Sequence, residues 1–473
     1  MNSEKLIVNK FSMRLLNILH NKNLSTLNFI HTTCSSTRQL STVLALSALI
    51  LSSCQFRKPE FVDFEKYKVT AGADCFQPYS IGNTSVEAEL PGNTYLPGGM
   101  TMREYSDGVA AGTISNTGTA EGELRTTSTS MGTVLQNLID YYNGDDVIQV
   151  VGTYNSVDEN NQPVTLSGKI VMPIKGPIER YILVSHYTIG SNAEAPSNCF
   201  PLEAVLASKG YAMIFPDYLG YGVTSNRIHP YLSLKLTAKN VLDMFKAVKP
   251  YMEAIGRKPL HDDIYLMGYS QGGAATMAVQ YAIEELHYIP DKIKSVFVGG
   301  GPYDIVATYD SYVTGGQVSY PCAVPLVIQG MNQSDKLGLD IKVLLTPHVA
   351  NNIDEWINSK KYTTVEINKL IGTKDVNQIL SSVGQDRTSS YVAVLYKAMK
   401  NNSILSIDFE PKAPVYMVHS MDDETVPYIN AQNAKNKWDM SNIKYNFGHY
   451  GSHTYTAIRF IYSVSTLLKR EED

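Results

Sequence analysis

The sequence predicts an α/β protein: a mostly parallel sheet covered by helices on both faces, with a helical cap inserted late in the chain. Three observations carry this expectation. From about residue 147, short bounded apolar runs alternate with longer amphipathic ones, the pattern of parallel strands joined by crossover helices. In one of these alternations, YLMGYSQGGAATMAVQYA at 265–282, the strand-to-helix junction is a very short turn with glycines two before and two after a serine. Residues 303–410 then break the rhythm with helical segments and no clear strand, a stretch too long to be a structureless loop in a compact domain.

The elements follow in order. Residues 40–54, LSTVLALSALILSSC, hold about a dozen apolar residues behind Lys22 and Arg38, too few to span a bilayer permanently but suited to a signal-peptide core. Leu51-Ser52-Ser53-Cys54 resembles the bacterial lipoprotein box. That resemblance makes residues 1–54 a lipoprotein signal peptide with its box, and implies cleavage before Cys54, acylation of Cys54 as the first mature residue, and a membrane anchor that does not span. Gln55 at the following position gives no inner-membrane retention signal, so the expected location is the bacterial cell envelope, at the outer membrane. Residues 55–140 are rich in Gly, Ser and Thr and read as a tether and N-terminal extension.

The core is expected over 141–302 and 411–473. IQVVGTYNSVDENNQPVTLSGKIVMP gives an antiparallel hairpin around a polar turn, YILVS a strand, PLEAVLASKG a helix, and YAMIFP a strand. LSLKLTAKNVLDMFKAVKPYMEAIG is a long helix, followed by the apolar strand at 264–267, a helix from Ala274, and the strand SVFVGG. Past the cap at 303–410 come the strand PVYMVHS, a helix from Pro427, the strand IKYNF, and a final helix TYTAIRFIYSVSTLLKR. In the cap, GLDIKVLLTPHVANNIDEWINSKK and SSYVAVLYKAMKNN carry helical patterns. Their apolar stretches LDIKVLL and YVAVLYKAM are candidates for the wall of an acyl pocket over the carboxyl ends of the strands.

With 473 residues the chain can bury a large core, and its net charge of −5 is spread over 40 basic and 45 acidic residues with no basic run, which argues against a nucleic-acid partner. Among five cysteines, export removes Cys34 and acylation consumes Cys54. Cys75, Cys199 and Cys322 allow at most one disulfide and lack the paired spacing of a metal site, so no metal is expected, and the chemistry read below needs no cofactor.

The serine turn is where chemistry concentrates. G-Y-S-Q-G at 268–272 is a G-x-S-x-G nucleophile elbow, in which a strained turn lifts the serine hydroxyl to the top of an α/β-hydrolase sheet. A hydroxyl attacks only when a base removes its proton, and the base needs an acid to hold it. In this fold the partners follow the serine in the order acid, then histidine. VYMVHSMDDETVP offers Asp422, Asp423 and Glu424 just beyond a strand, and NFGHYGSHTYTA offers His449 and His453 after the last strand.

These stretches, together with FPDYLGYGVT and the downstream HPYL, resemble the secretory lipase family of α/β hydrolases and related bacterial esterases, over roughly residues 145–468. The family's acid loop H-G-x-x-D-x-x-V-P is matched at His419, Asp423, Val426 and Pro427, with Ser420 in place of the glycine. This selects Asp423 over Asp422. The histidine before the last helix selects His453, with His449 the alternative. The resemblance further implies an oxyanion hole, with one donor at the backbone N–H of Gln271. The second lies in the loop His186-Tyr187-Thr188, where Thr188 is preferred over Tyr187 and the tyrosine departs from the family's H-G-x. Asp217 and His229 read as a turn cap and a packed loop residue.

What this implies is a serine esterase or lipase in which Ser270, His453 and Asp423 cleave carboxylic esters through an acyl-enzyme. Its substrates would be small-molecule, lipid or glycan esters, including acetylated or feruloylated ones. An acyltransferase or aminopeptidase using the same triad is the alternative among enzymes. A non-catalytic binding lipoprotein on the same fold is the alternative outside them, and the intact Ser, Asp and His argue against it.

Overall fold

The computed structural model describes residues 147–472 continuously, with 62–65, 79–80, 93–97, 99–101, 103–104 and 138 before them. The leader at 1–54, Cys54, Cys75 and most of the extension at 55–140 lie outside the described residues.

Eight strands build the main sheet: β1 (Val147–Val157), β2 (Pro163–Pro173), β3 (Arg180–Ser185), β4 (Tyr211–Pro216), β5 (Ile264–Tyr269), β6 (Ile293–Gly299), β7 (Val415–Ser420) and β8 (Ile443–Gly448). Their order is β1-β2-β4-β3-β5-β6-β7-β8, and short strands at Val62–Asp63 and Tyr79–Ser80 pair with β1. β1–β2 and β2–β4 are antiparallel, and every pair from β4–β3 to β7–β8 is parallel. The exchange of β3 and β4 in that order leaves β5 in the middle of the parallel part, with the carboxyl ends of β3, β5, β6 and β7 along one edge.

Period-two alternation sends each strand's side chains into two cores. From β5, Ile264 and Leu266 join Val241, Phe245 and Val248 of α1 (Leu234–Ala254) and Ala275 and Val279 of α2 (Gln271–Glu284). Tyr265 and Met267 pack on the other face with Ile458, Ile461 and Val464 of the C-terminal helix at His453–Glu472. Both faces are therefore covered, as buried parallel strands with continuous apolar runs require.

Two local expectations change. PLEAVLASKG forms a 3₁₀ helix, Leu202–Lys209, rather than an α-helix. Leu202 to Ser208 are all buried, so the segment has no solvent face, and the tighter winding ends at Gly210 in the left-handed region (φ 99°). GLDIKVLLTPHVANNIDEWINSKK is broken into short turns, Ile341–Leu344, Pro347–Ala350 and Asp354–Asn358, because Pro347 lacks the N–H needed to continue the first of them. The rest of the cap region carries α3 (Ile305–Gly315), α4 (Ala323–Ser334), α5 (Thr364–Ile371) and α6 (Ser390–Asn402), with isolated bridges at Gln317–Asp375 and Leu345–Leu380. Tyr309, Val324, Ile328 and Leu395 from these helices belong to the same buried cluster as α1 and α2, so the cap region shares the main core. α7 (Ile429–Lys437) and α8 (His453–Glu472) complete the chain.

Candidate active site

β5 ends at Tyr269 and α2 begins at Gln271, so Ser270 alone makes the turn. Its backbone sits at φ 57°, ψ −127°, outside the regions a side-chain-bearing residue prefers, a strain of about 1–3 kcal/mol that the surrounding structure must hold. Two glycines make this geometry possible. A Cβ on Gly272 would lie 1.9 Å from the Ser185 carbonyl oxygen of β3, and one on Gly268 would lie 2.3 Å from the Gly272 carbonyl oxygen. The Ser270 N–H donates to the Gly299 carbonyl at the end of β6, 2.9 Å away, fixing the turn to the neighbouring strand.

Asp423 follows β7 and His453 opens α8. His453 Nε2 is 2.8 Å from Ser270 Oγ, and His453 Nδ1 is 2.6 Å from Asp423 Oδ2. The other Asp423 oxygen accepts the backbone N–H groups of Thr425 (2.9 Å) and Val426 (2.7 Å), so the carboxylate cannot rotate away from the imidazole without losing both. Its side chain is 0% exposed and that of His453 12%. Tyr269 braces the ring: its hydroxyl donates to the His453 carbonyl (2.9 Å) and its ring lies 5.0 Å from the imidazole. Beneath the acid turn the buried His419 donates from Nε2 to the Val426 carbonyl (2.9 Å). Burial holds its pKa below the usual histidine value, so it serves as a neutral strut.

The alternative residues group elsewhere. His449 Nδ1 meets Asp422 Oδ1 at 2.6 Å on the surface, where the side chains are 70% and 38% exposed. Glu424 is exposed, like Asp422. Asp217 is fully buried, accepting from Ser167 Oγ (2.5 Å) and the Ser197 N–H (2.8 Å), and organises the loops around β4, as the turn reading expects.

Thr188 lines the same cavity as Ser270 and His453, with Tyr187 beside it. The Gln271 N–H heads α2, where the first turn of a helix leaves its donors free. Neither this N–H nor that of Thr188 donates a hydrogen bond among the described residues, so both are available to an incoming oxygen. The Thr188 hydroxyl bonds Tyr231 Oη (2.7 Å), and Tyr187 Oη donates to the Tyr95 carbonyl (3.3 Å).

The cavity over Ser270 is walled by Thr308 and Tyr312 of α3, Tyr320, Ala323 and Val327 of α4, and Leu232. The cap stretches LDIKVLL and YVAVLYKAM do not line it: Leu344, Leu345, Val392 and Leu395 are instead buried in the main core. Their apolar periodicity reports packing, which a sequence pattern does not distinguish from a ligand wall. Cys199 and Cys322 are buried free thiols, and burial raises the pKa of both, that of Cys199 to about 12.

Sequence reasoning missed one contributor. Ser420, which stands where the related acid loop has glycine, donates from Oγ to the Gly451 carbonyl (2.8 Å) and accepts from the Tyr450 N–H (3.1 Å) and the Asp422 N–H (3.2 Å). It thus ties the acid-bearing loop to the histidine-bearing loop. The departure from the motif was the available signal.

Residues 198–462 match the model of the secretory lipase family. Among solved structures, the chain resembles the rice cell wall degrading esterase LipA from Xanthomonas oryzae at 21% identity, covering 74% of this chain and 98% of that one with a TM-score of 0.61. A putative hydrolase from Legionella pneumophila is similar at 21% identity over 72% of this chain and 95% of that one, TM-score 0.61. Candida antarctica lipase A is similar at 17% identity over 74% and 81%, TM-score 0.50. No protein of curated function matches the chain. The solved structures share the α/β-hydrolase fold with it.

Proposed function

The chain belongs to the secretory lipase family of carboxylic ester hydrolases, and from that premise we propose that it cleaves esters by a serine mechanism through an acyl-enzyme. Ser270 Oγ attacks the ester carbonyl as His453 Nε2 takes its proton, and the N–H groups of Gln271 and Thr188 bind the oxyanion that forms. His453 then returns the proton to the departing alkoxide, and a water activated by the same ring cleaves the acyl group from Ser270. Asp423, held by two backbone N–H groups, keeps the Nδ1–H tautomer and stabilises the imidazolium. The observation that carries this reading is the unbroken chain from Asp423 Oδ2 to His453 Nδ1 (2.6 Å) and from His453 Nε2 to Ser270 Oγ (2.8 Å).

The acyl group is read as apolar and uncharged. Tyr231, Tyr269 and Tyr312 present rings to the cavity while their hydroxyls bond Thr188, the His453 carbonyl and the Thr425 carbonyl, leaving the wall apolar in effect. The described lining residues include no carboxylate to receive a substrate amine, which favours an esterase over an aminopeptidase. A panel of p-nitrophenyl esters of graded chain length, with acetylated xylan alongside, tests the reading. Turnover should vanish in Ser270→Ala, and Val327→Trp should depress long-chain esters far more than acetate. Full turnover by Ser270→Ala would move the nucleophile elsewhere. A uniform Val327→Trp effect would remove the cap from chain-length selection.

We further propose that Cys54 is acylated and anchors the enzyme in a bacterial envelope, at the outer membrane, on the strength of the Leu-Ser-Ser-Cys box behind its apolar run. Cys54→Ala should shift the protein from the membrane pellet to the soluble fraction. Persistence in the pellet would end the lipid-anchor reading.

A further inference from the structure

We infer that His229 and Tyr231 are positioning residues for the oxyanion hole, holding its two backbone donors through the side chains of Gln271 and Thr188. The inference rests on the proposed roles of Ser270, Gln271 and Thr188 and extends them to a stretch, His229-Pro230-Tyr231, that the mechanism itself does not use.

The Gln271 side chain is buried, and its Nε2 lies 3.0 Å from His229 Nε2. The direction of that bond follows from the other ring nitrogen. His229 Nδ1 is 2.7 Å from the Leu219 carbonyl, which can only accept, so Nδ1 carries the hydrogen. In a neutral ring Nε2 is then a lone pair, and the Gln271 amide donates to it. Burial, with the nearby Lys360 charge, pushes the His229 pKa down to about 3, so the ring remains neutral and the acceptor persists across the working pH range of an esterase. Gln271 is thereby held by its side chain at the residue whose N–H faces the reacting carbonyl.

Two residues further on, Tyr231 Oη is 2.7 Å from Thr188 Oγ1, on the loop that carries the second donor. That loop has no regular secondary structure of its own between β3 and the short helix at Asn192–Glu194, so its donor depends on outside contacts for its position. One tripeptide therefore bonds both arms of the hole. It is itself fixed on two sides. Gly220, at φ 95°, packs so tightly that a Cβ there would lie 2.6 Å from His229 Cα. In the cap, a Cβ on Gly330 of α4 would lie 2.4 Å from the Tyr231 carbonyl oxygen. The core turn at 217–220 and the cap helix thus set where both oxyanion donors stand. Donors act only within about 2.7–3.1 Å of the developing oxyanion, so a small displacement removes most of their effect.

The test separates bonding from packing. His229→Asn keeps an amide where Nδ1 stood and abandons Gln271, whereas His229→Gln places an amide where Nε2 stood and restores a partner for Gln271. On p-nitrophenyl acetate, His229→Phe and His229→Asn should lower kcat about tenfold with KM within about twofold, and Tyr231→Phe should lower it about fivefold, fractions of the loss that accompanies complete removal of a donor. Affinity for a trifluoromethyl ketone, whose adduct carries the oxyanion, should fall by the same factors. His229→Gln should recover most of both. Equal losses in His229→Asn and His229→Gln, or losses confined to KM, would overturn the inference, because either would mark the ring as packing alone. If the His229 variants do not melt cooperatively, Tyr231→Phe decides: wild-type kcat and ketone affinity in that variant overturn it. Ser270→Ala run in parallel separates the two levels. Activity surviving there sinks the mechanism, whereas an inactive Ser270→Ala beside fully active 229 and 231 variants sinks only the positioning role.

Discussion

Two carboxylate–imidazole pairs stand side by side in this protein, Asp423–His453 and Asp422–His449, each with its Nδ1–oxygen distance at 2.6 Å. Their acids are consecutive in sequence, and their histidines are four positions apart, His449 in the loop after β8 and His453 at the first residue of α8. By residue type, order and spacing they are interchangeable. They differ in what surrounds them. The side chains of Asp422 and His449 are 38% and 70% exposed, where water screens the pair and its bond is worth about 0–1 kcal/mol. Those of Asp423 and His453 are 0% and 12% exposed, and the acid is clamped by the Thr425 and Val426 N–H groups. Only the inner imidazole has a hydroxyl, that of Ser270, on its far nitrogen. An acid–histidine pair becomes a catalytic candidate through burial, a fixed acid and a third partner, none of which lies in the pair itself.

The most direct way to break this contrast is to disable the inner pair. His453→Ala should lower kcat by about 10⁴-fold or more, and Asp423→Asn by about 10³–10⁴-fold because the ring loses its enforced tautomer, with KM little changed. Labelling by a fluorophosphonate should fall in parallel while the far-ultraviolet circular dichroism stays native. If the outer pair proved the crippling one instead, the burial argument would be reversed.

A smaller effect should come from the residue between the pairs. Ser420 binds the Asp422 N–H, the Tyr450 N–H and the Gly451 carbonyl, so it serves the frames of both. Ser420→Ala leaves backbone groups of the exposed Asp422 and the half-buried Tyr450 and Gly451 without this partner and should cost about 1 kcal/mol of stability in a denaturant titration. Catalysis should fall by about tenfold as His453 loses its fixed approach. An unchanged midpoint would mean that the two loops are held together by other contacts.

The contrast also marks what the sequence carries. The alternation of apolar runs predicts the strands β3 to β8, because buried parallel strands leave short apolar segments bounded by turn residues, and the polar turn between two longer runs predicts the antiparallel hairpin of β1 and β2. The elbow was legible because Gly268 and Gly272 are required by close backbone approach, which only glycine permits. Asp423 and His453 were legible only through resemblance to a family pattern, since nothing local distinguishes Asp422 from Asp423. The pairing of Gln271 with His229 was not legible: the two are 42 positions apart, and a buried histidine most often belongs to packing alone. The pocket wall was misassigned for a related reason. Tyr312, Tyr320 and Val327 show no pattern different from that of the core residues LDIKVLL and YVAVLYKAM, and only tertiary placement separates them.

The smallest effects belong to the outer pair. Asp422→Asn and His449→Gln should leave kcat and KM within about twofold, because among the described residues the His449 imidazole bonds Asp422 alone and neither side chain lines the cavity. Stability should change by no more than about 0.5–1 kcal/mol, and the change should shrink further in 1 M salt, where the Debye length falls to about 3 Å and an exposed ion pair is screened. The double variant is the sharper measurement. If the pair acts only on itself, either single substitution removes all of its contribution, and the double variant should match the singles in denaturant midpoint. A double variant that loses activity while both singles keep it would mean that the outer pair supports the turn bearing Asp423, through the Gly451 N–H that Asp422 also binds at 3.3 Å. In that case the two pairs would be one structural unit, with the exposed member bracing the buried one.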